Sequence, residues 1–392
     1  GGRINTDFID NSAGVNTSDV EVNLKILTAT EERRGALRRR ERDRLLAALT
    51  GDVATLVLRN NYLQSQALSV LESQSARRLP ELQHLIRLLE RGGLLDRKVE
   101  FLPDDEALGE RLQRGQGLAR PELAVLLSYS KIALNQALLE SDEPEDRYFS
   151  RELERYFPAR FARRFPRAIP RHRLRREIIA TATTNSLVNR MGPSFATRAM
   201  EDTAAGAGEV ARAYSIAREA FAMRARWAEI EALDNRVPAS VQYAMLDESA
   251  RLLRHSTYWL LRHRRGRLDV DTALRHFAPA IAALAGGLPD ALQGLDRDAW
   301  RRTRDTHLEA GVPAGLASFM ASAEPLGAAF DVVEAAAARR TGLALAARVY
   351  FAAGASLGLD WLRAGIEALA VEGPWQAVAR GGLRDAALQV QR

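Results

Sequence analysis

From Thr28 onward the sequence obeys one constraint: apolar residues return every three or four positions, in stretches cut by proline and glycine. That is the period of α-helices with one buried face, and it leaves little room for a sheet. The clearest stretch is PELAVLLSYSKIALNQALLE, residues 121–140. Pro121 suits a first helical turn, and Leu123, Leu126, Leu127, Ile132, Leu134 and Leu138 demand burial on more than one side. Further helices are expected over Thr30–Thr50, Val53–Ser73, Leu79–Arg91, Arg171–Arg190, Ser194–Thr203, Gly208–Phe221, Arg224–Leu233 and Val241–Arg264. From Leu268 the composition turns Ala-rich, with helices expected at Asp269–Ala285, Asp296–Ala310, Pro313–Ala323, Ala328–Arg340, Gly342–Leu369 and Trp375–Val390. No period of about 20–50 residues recurs, so a solenoid is not expected. The fold class is mainly α, a helical array or bundle.

The first 27 residues, GGRINTDFIDNSAGVNTSDVEVNLKIL, differ from everything that follows. They gather Asp7, Asp10, Asn11, Ser12, Asn16, Thr17, Ser18, Asp19 and Glu21 around a short apolar run. Phe8 and Ile9 read as a strand entering the turn-prone Asn11-Ser12-Ala13-Gly14. Ser18 followed three residues later by Glu21 fits a capping box, which makes Ser18 the N-cap of the next helix. Val20, Val22, Leu24 and Ile26 also alternate as a strand would, but the capping pair favours a helix.

These residues carry a resemblance. NTDFIDNSAGVNTSDVEVNLKIL resembles the end of the catalytic domain of the large NAD-specific glutamate dehydrogenases. The likeness continues through LARPELAVLLSYSKIALNQALL (118–139), HRLRREIIATATTNSLVNRMG (172–192) and EALDNRVPASVQY (231–243). It covers roughly residues 1–265 well, and the remainder by position and helical character. Shorter members of the wider family carry Asn-Ala-Gly-Gly-Val-x-x-Ser followed by a glutamate. Asn11, Gly14, Val15, Ser18 and Glu21 match that pattern, while Ser12 and Ala13 depart from it. The resemblance implies that Asn11 contacts NAD and that Ser18 helps hold the side-chain carboxylate of L-glutamate. A serine at a helix start is, on its own, most often only a cap.

The resemblance also says what to expect elsewhere. The substrate lysines, the proton-moving aspartate and the Gly-rich dinucleotide turn lie upstream in the family, and no G-x-G-x-x-G after a strand occurs here. Gly206-Ala207-Gly208 is the nearest approach and reads as a plain loop. The chain opens on Gly1-Gly2 without an initiator methionine. It is therefore expected to be a C-terminal fragment with no catalytic residue of its own, inactive alone. NAD would be bound mostly by upstream residues. The expected division is 1–100 for the end of the catalytic domain with bracing helices and an α/β remnant, 101–265 for the first helical part, and 266–392 for the Ala-rich part. The whole enzyme is expected to be a cytoplasmic homo-oligomer acting on L-glutamate and 2-oxoglutarate.

Composition removes several alternatives. There are no cysteines, so disulfides and thiolate metal sites are excluded. None of the six histidines has the i, i+4 spacing around a glutamate that a zinc hydrolase uses, and no metal is expected. No run of 18 apolar residues suggests a membrane span. The net charge of +6 is a small excess of 56 basic over 50 acidic residues. Only Lys25, Lys98 and Lys131 among the basic residues are lysine. Arginine clusters at 33–44, 160–176 and 262–267 are the case for nucleic-acid binding, but Glu31, Glu32, Glu41, Asp43 and Glu177 interleave or flank two of them, and no nucleic acid is expected. The run TATTNSLVN (181–189) suits a hydrogen-bonded helix contact better than a ligand pocket. Asp142, Glu143, Glu145 and Asp146 read as a solvated acidic loop. The rival reading is a helical structural or oligomerisation module without a site.

Overall fold

The computed structural model describes residues 4–263 and 266–369, with scattered positions between 376 and 390. The helix expected over Trp375–Val390 lies largely outside the described residues, as do Arg264, Arg265 and Gly1-Gly2. Among the described residues every regular element is helical and none is a strand. Two compact units follow one another, Gly1–Ala211 and Arg212–Arg392.

The first unit begins with α1 (Asp7–Asp10) and α2 (Ser12–Arg33), followed by α3 (Arg39–Ala48) and the 42-residue α4 (Thr50–Arg91). Next come α5 (Asp105–Gln113), α6 (Arg120–Glu140), α7 (Ser150–Tyr156), α8 (Ala159–Arg164), α9 (Arg175–Met191) and α10 (Phe195–Thr203). Helix α4 is the spine: α2, α5, α6 and α9 all pack on it, and α6 packs on α9. Its length corrects the expectation of two helices. Pro80 lacks the N–H that would bond to the Ala76 carbonyl, a defect that ordinarily kinks or ends a helix. Here Leu71, Ser75, Leu79, Leu82, Leu85, Ile86 and Leu89 form a continuous buried stripe across the proline, and that packing outweighs the lost bond.

The start of α6 shows how local chemistry fixes the frame. The Glu122 carboxylate accepts from the Ala119 N–H at 2.6 Å and from both terminal nitrogens of Arg111 at 2.6 and 2.9 Å. One side chain thus satisfies an otherwise orphaned helix-start amide and ties α5 to α6. At the far end, the 142–146 loop is not the solvated tip its composition suggested. Glu143 is fully buried and accepts from Thr183 Oγ1 at 2.9 Å, while Glu145 holds Arg175 and Arg176, each at 2.6 Å. The TATTNSLVN run accordingly serves helix packing, since Thr181 also accepts from Asn135 of α6 at 3.2 Å.

The second unit is built from most of α11 (Ala207–Ala220), which runs through the division, with α12 (Met223–Glu231), α13 (Ala239–His263) and α14 (Val270–Ala291). It continues with α15 (Gly294–Glu309), α16 (Ala314–Ala321), α17 (Ala329–Ala338), α18 (Leu343–Ser356) and α19 (Leu359–Ala368). The single helix expected over 342–369 is two, broken at Gly358, whose φ of +65° only glycine adopts cheaply. Its core centres on Phe221, Trp259, Phe277 and Phe330, with ring centroids 4.7–6.0 Å apart. The Trp259 indole donates to buried Asp331 at 2.8 Å. Gly206–Gly208 merely leads into α11, where the Glu209 carboxylate accepts from the Gly206 N–H at 2.8 Å. No single helix among the described residues is long and apolar enough to cross a membrane.

Candidate functional site

The N-terminal stretch folds differently from its expectation. Phe8 and Ile9 lie in the helical turn α1, so the strand expected there is absent. The four-residue turn shrinks to Asn11 alone, and α2 starts at Ser12. Ser18 is therefore in the interior of α2 and caps nothing. The reason is the buried stripe of Val20, Asn23, Leu24, Leu27 and Thr28, whose helical register extends backward and carries Ser12 to Thr17 into the helix. Glu21 pairs instead with Lys25, at 2.5 Å one turn on.

Asn11 and Ser18 nonetheless fall on one flank. They are seven residues apart, two helical turns or about 10 Å of rise, with Val15 between them. Asn11 and Ser18 are exposed, and so are Val15 at 78 % and Val22 at 47 %. The Asn11 amide donates to Asp7 Oδ1 at 2.6 Å, which orients its carbonyl oxygen away from that carboxylate. Thr17 spends its hydroxyl on the Ala13 carbonyl at 2.7 Å. Among the described residues the Ser18 hydroxyl has no such partner, so it presents a free donor and acceptor on an open helix face.

The opposite flank of α2 is bolted down. Tyr156 Oη accepts from Asn23 Nδ2 at 2.8 Å and donates to Asp19 Oδ2 at 2.9 Å, and burial, then the nearby Asp19 charge, push its pKa up. His172 donates from Nε2 to the Asn23 carbonyl at 3.0 Å while its Nδ1 accepts from the Leu174 N–H at 3.1 Å. Burial lowers the imidazole pKa, which agrees with this neutral, singly protonated ring. At the start of α2, Ser12 Oγ meets Asn61 Oδ1 at 2.6 Å and Gln64 Nε2 at 3.4 Å. Arg120, almost fully buried, donates to Asn5 Oδ1 at 2.6 Å, Glu72 Oε2 at 2.9 Å, Ser69 Oγ at 3.1 Å and the Ser65 carbonyl at 3.2 Å.

Residue types alone did not reveal these supports. Tyr156, Asn23, Gln64 and Arg120 are ordinary in composition, and their partners are far away in the chain. Lys131 had one signal, being one of only three lysines in an arginine-rich chain. The histidines form no cluster with carboxylates that would hold a metal among the described residues. Several clustered arginines are engaged inside the fold: Arg34 with Glu31, Arg39 with Asp43, Arg160 with Asp52, and Arg175 and Arg176 with Glu145.

A family model described as "Glutamate dehydrogenase, C-terminal" matches residues 115–392, starting in the connector between α5 and α6. The chain belongs to the glutamate dehydrogenase family. A second model, "Bacterial NAD-glutamate dehydrogenase, catalytic domain", matches residues 1–71, which contain α1, α2 and half of α4. Among curated relatives, an NAD-specific glutamate dehydrogenase of Pseudomonas aeruginosa is 45 % identical over 98 % of this chain. Those of Halomonas elongata and Mycobacterium tuberculosis are 43 % and 33 % identical over the same share. The chain spans about a quarter, 24 %, of the length of each of these relatives. The Asn11–Ser18 flank thus falls in the catalytic-domain match, while Tyr156, His172, Arg120 and Lys131 fall in the C-terminal match.

Proposed function

We propose that this chain supplies one wall of the active site of an NAD-dependent glutamate dehydrogenase, together with the helical domain that braces it. The reaction is L-glutamate, NAD and water to 2-oxoglutarate, ammonia and NADH, through an iminium form of the substrate. One observation carries the reading: Asn11, Val15 and Ser18 share an exposed flank of α2, while the other flank is anchored to the helices behind it. A rigid back and an open, partly apolar front suit a surface that faces a ligand rather than solvent.

On this reading Ser18 donates its hydroxyl to the side-chain carboxylate of glutamate, and the Asn11 side chain orients the cofactor. NAD, when bound, accepts the hydride from the substrate α-carbon. The residues present fit only part of such a site. A neutral amide and one hydroxyl can orient ligands, but neither can move the protons of an amine oxidation. The substrate lysines, the proton-moving aspartate and most of the cofactor's contacts then belong to further catalytic-domain sequence, where the α/β dinucleotide fold also resides. Residues 1–100 are the catalytic domain's end with its bracing helices, 101–265 the first helical part and 266–392 the Ala-rich part. The enzyme is a cytoplasmic homo-oligomer.

The test is NAD-dependent glutamate oxidation by this chain and by a version extended with the rest of the catalytic domain. Activity in the extended protein alone supports the reading. Inactivity of both, each folded and assembled, would leave a helical assembly module without a site as the better description.

A further inference from the structure

A directional hydrogen-bond chain runs from α6 to the first residue of α2. The Lys131 ammonium donates to Gln64 Oε1 at 3.0 Å, and Gln64 Nε2 donates to Ser12 Oγ at 3.4 Å. The Ser12 hydroxyl has one proton, for Asn61 Oδ1 at 2.6 Å or the Ile9 carbonyl at 2.9 Å, and Asn61 Nδ2 donates to the Val57 carbonyl at 3.0 Å. Every link points the same way, from cation to backbone, so each bond polarises the next. Ser12 is also where this sequence departs from the shorter pattern, which has an alanine there.

Lys131 is an expensive place to start such a chain. No ion pair engages it among the described residues. On the helices packed against α6, Glu72 is engaged by Arg120 and Arg190 by Gln66. Burial alone holds its pKa down to about 7, which means the fold bears a desolvation cost that a leucine or methionine on this apolar helix would avoid.

We infer that Lys131 is a positioning residue for the cofactor contact: through Gln64 and Ser12 it fixes the N-terminal end of α2, and with it Asn11. The inference rests on the reading of Asn11 as an NAD contact. It assigns the helical domain a task beyond packing, since Lys131 lies in the C-terminal match while Gln64 and Ser12 lie in the catalytic-domain match.

The test uses the whole enzyme and four variants, Lys131→Met, Lys131→Arg, Ser12→Ala and Asn11→Ala, plus the Lys131→Met/Ser12→Ala double variant. Lys131→Met and Ser12→Ala should each raise the KM for NAD by roughly three- to tenfold with kcat changed less than about twofold. The double variant should be no worse than the more severe single one, because both cut one chain. Lys131→Arg keeps a donor and should recover most of the wild-type KM. Wild-type kinetics in both single variants, or a fall in kcat and thermal stability with the NAD KM unchanged, would overturn the inference. Ser12→Ala removes one oxygen at a half-buried site, so it keeps the test open if Lys131→Met fails to fold. Asn11→Ala separates the two readings. If it raises the NAD KM while the Lys131 and Ser12 variants do not, only the positioning role fails. If it leaves that KM unchanged, the cofactor contact itself fails.

Discussion

Tyr156 donates its phenol to the carboxylate of Asp19 across 137 residues of sequence, at 2.9 Å, and Asp19 is the immediate neighbour of Ser18. The same oxygen accepts from Asn23 at 2.8 Å, so one hydroxyl holds two successive turns of α2. The helix that carries the candidate ligand contacts is therefore positioned from α7, which lies in the C-terminal match.

Tyr156→Phe should cost about 1–2 kcal/mol of stability, because it removes two hydrogen bonds at a half-buried site without altering the ring's packing. Asn23 would keep its bond to the Asp19 carbonyl at 3.1 Å, which limits the loss. Chemical denaturation of wild type and variant measures it. An unchanged midpoint would show that the anchor contributes nothing.

Ser18→Ala in the whole enzyme should raise the glutamate KM and lower kcat/KM by roughly 1–3 kcal/mol, the value of a hydrogen bond to a carboxylate. Stability should stay within about 0.5 kcal/mol, since Ser18 is exposed and alanine is the better helix former. Steady-state kinetics with glutamate varied at saturating NAD decides the matter. Unchanged kinetics would remove Ser18 from the site.

The sequence was most legible where one element answers to one local pattern. Helix α6 was readable because Pro121 marks its start and leucines recur on several faces. Helix α4 was misread as two because Pro80 is a local breaker, and the buried stripe that overrides it is a tertiary fact. Ser18 was misread as a cap because Ser-x-x-Glu also occurs inside helices, where glutamate can pair forward as Glu21 does with Lys25. Asn11 and Ser18 share a flank only because α2 begins at Ser12, so the seven residues between them make two turns; a helix capped by Ser18 would have left Asn11 in the turn before it. The supports behind them were invisible: the Lys131–Gln64 and Gln64–Ser12 links join residues 67 and 52 positions apart. No local propensity encodes such a pairing.

Lys131 makes stability depend on pH in a defined direction. Its folded pKa of about 7 lies below the ordinary lysine value, so between those values the unfolded chain binds the extra proton. Stability then rises with pH through that window, and the penalty is complete below about pH 7. Wild type should gain about 1–2 kcal/mol relative to Lys131→Met between pH 7 and 9. Parallel pH dependences in the two proteins, from denaturation at each pH, would show that the ammonium is solvated.

His172 acts in the same direction, in a window at the acid end. Burial depresses its pKa below the usual imidazole value, so its contribution is intact above about pH 6.5 and is lost as pH falls toward the folded value. Protonation also forces a proton onto Nδ1, which now accepts from the Leu174 N–H. Melting temperatures at pH 7.5 and 5.5 should fall more for wild type than for His172→Gln. An equal fall would assign acid sensitivity to other groups.

The loop into α6 offers a test of packing in which three glycines answer differently. Gly117 lies so close to α4 that an added Cβ would sit 2.5 Å from the Ala76 nitrogen, against backbone that cannot turn aside. The neighbouring Leu118 carbonyl accepts from Ser75 Oγ at 3.0 Å, so the loop cannot retreat without breaking that bond. Gly117→Ala should therefore cost about 2–3 kcal/mol, as overpacking does. Gly115→Ala meets open space but must adopt a φ of +65°, which costs about 1–2 kcal/mol. Gly109→Ala, inside α5 and also meeting nothing, should stabilise by up to about 1 kcal/mol. Denaturation midpoints should rank Gly109→Ala above wild type, then Gly115→Ala, then Gly117→Ala. If Gly117→Ala matched wild type, the loop would not lie against α4, and the path from the catalytic-domain end of the chain into α6 would have to be redrawn.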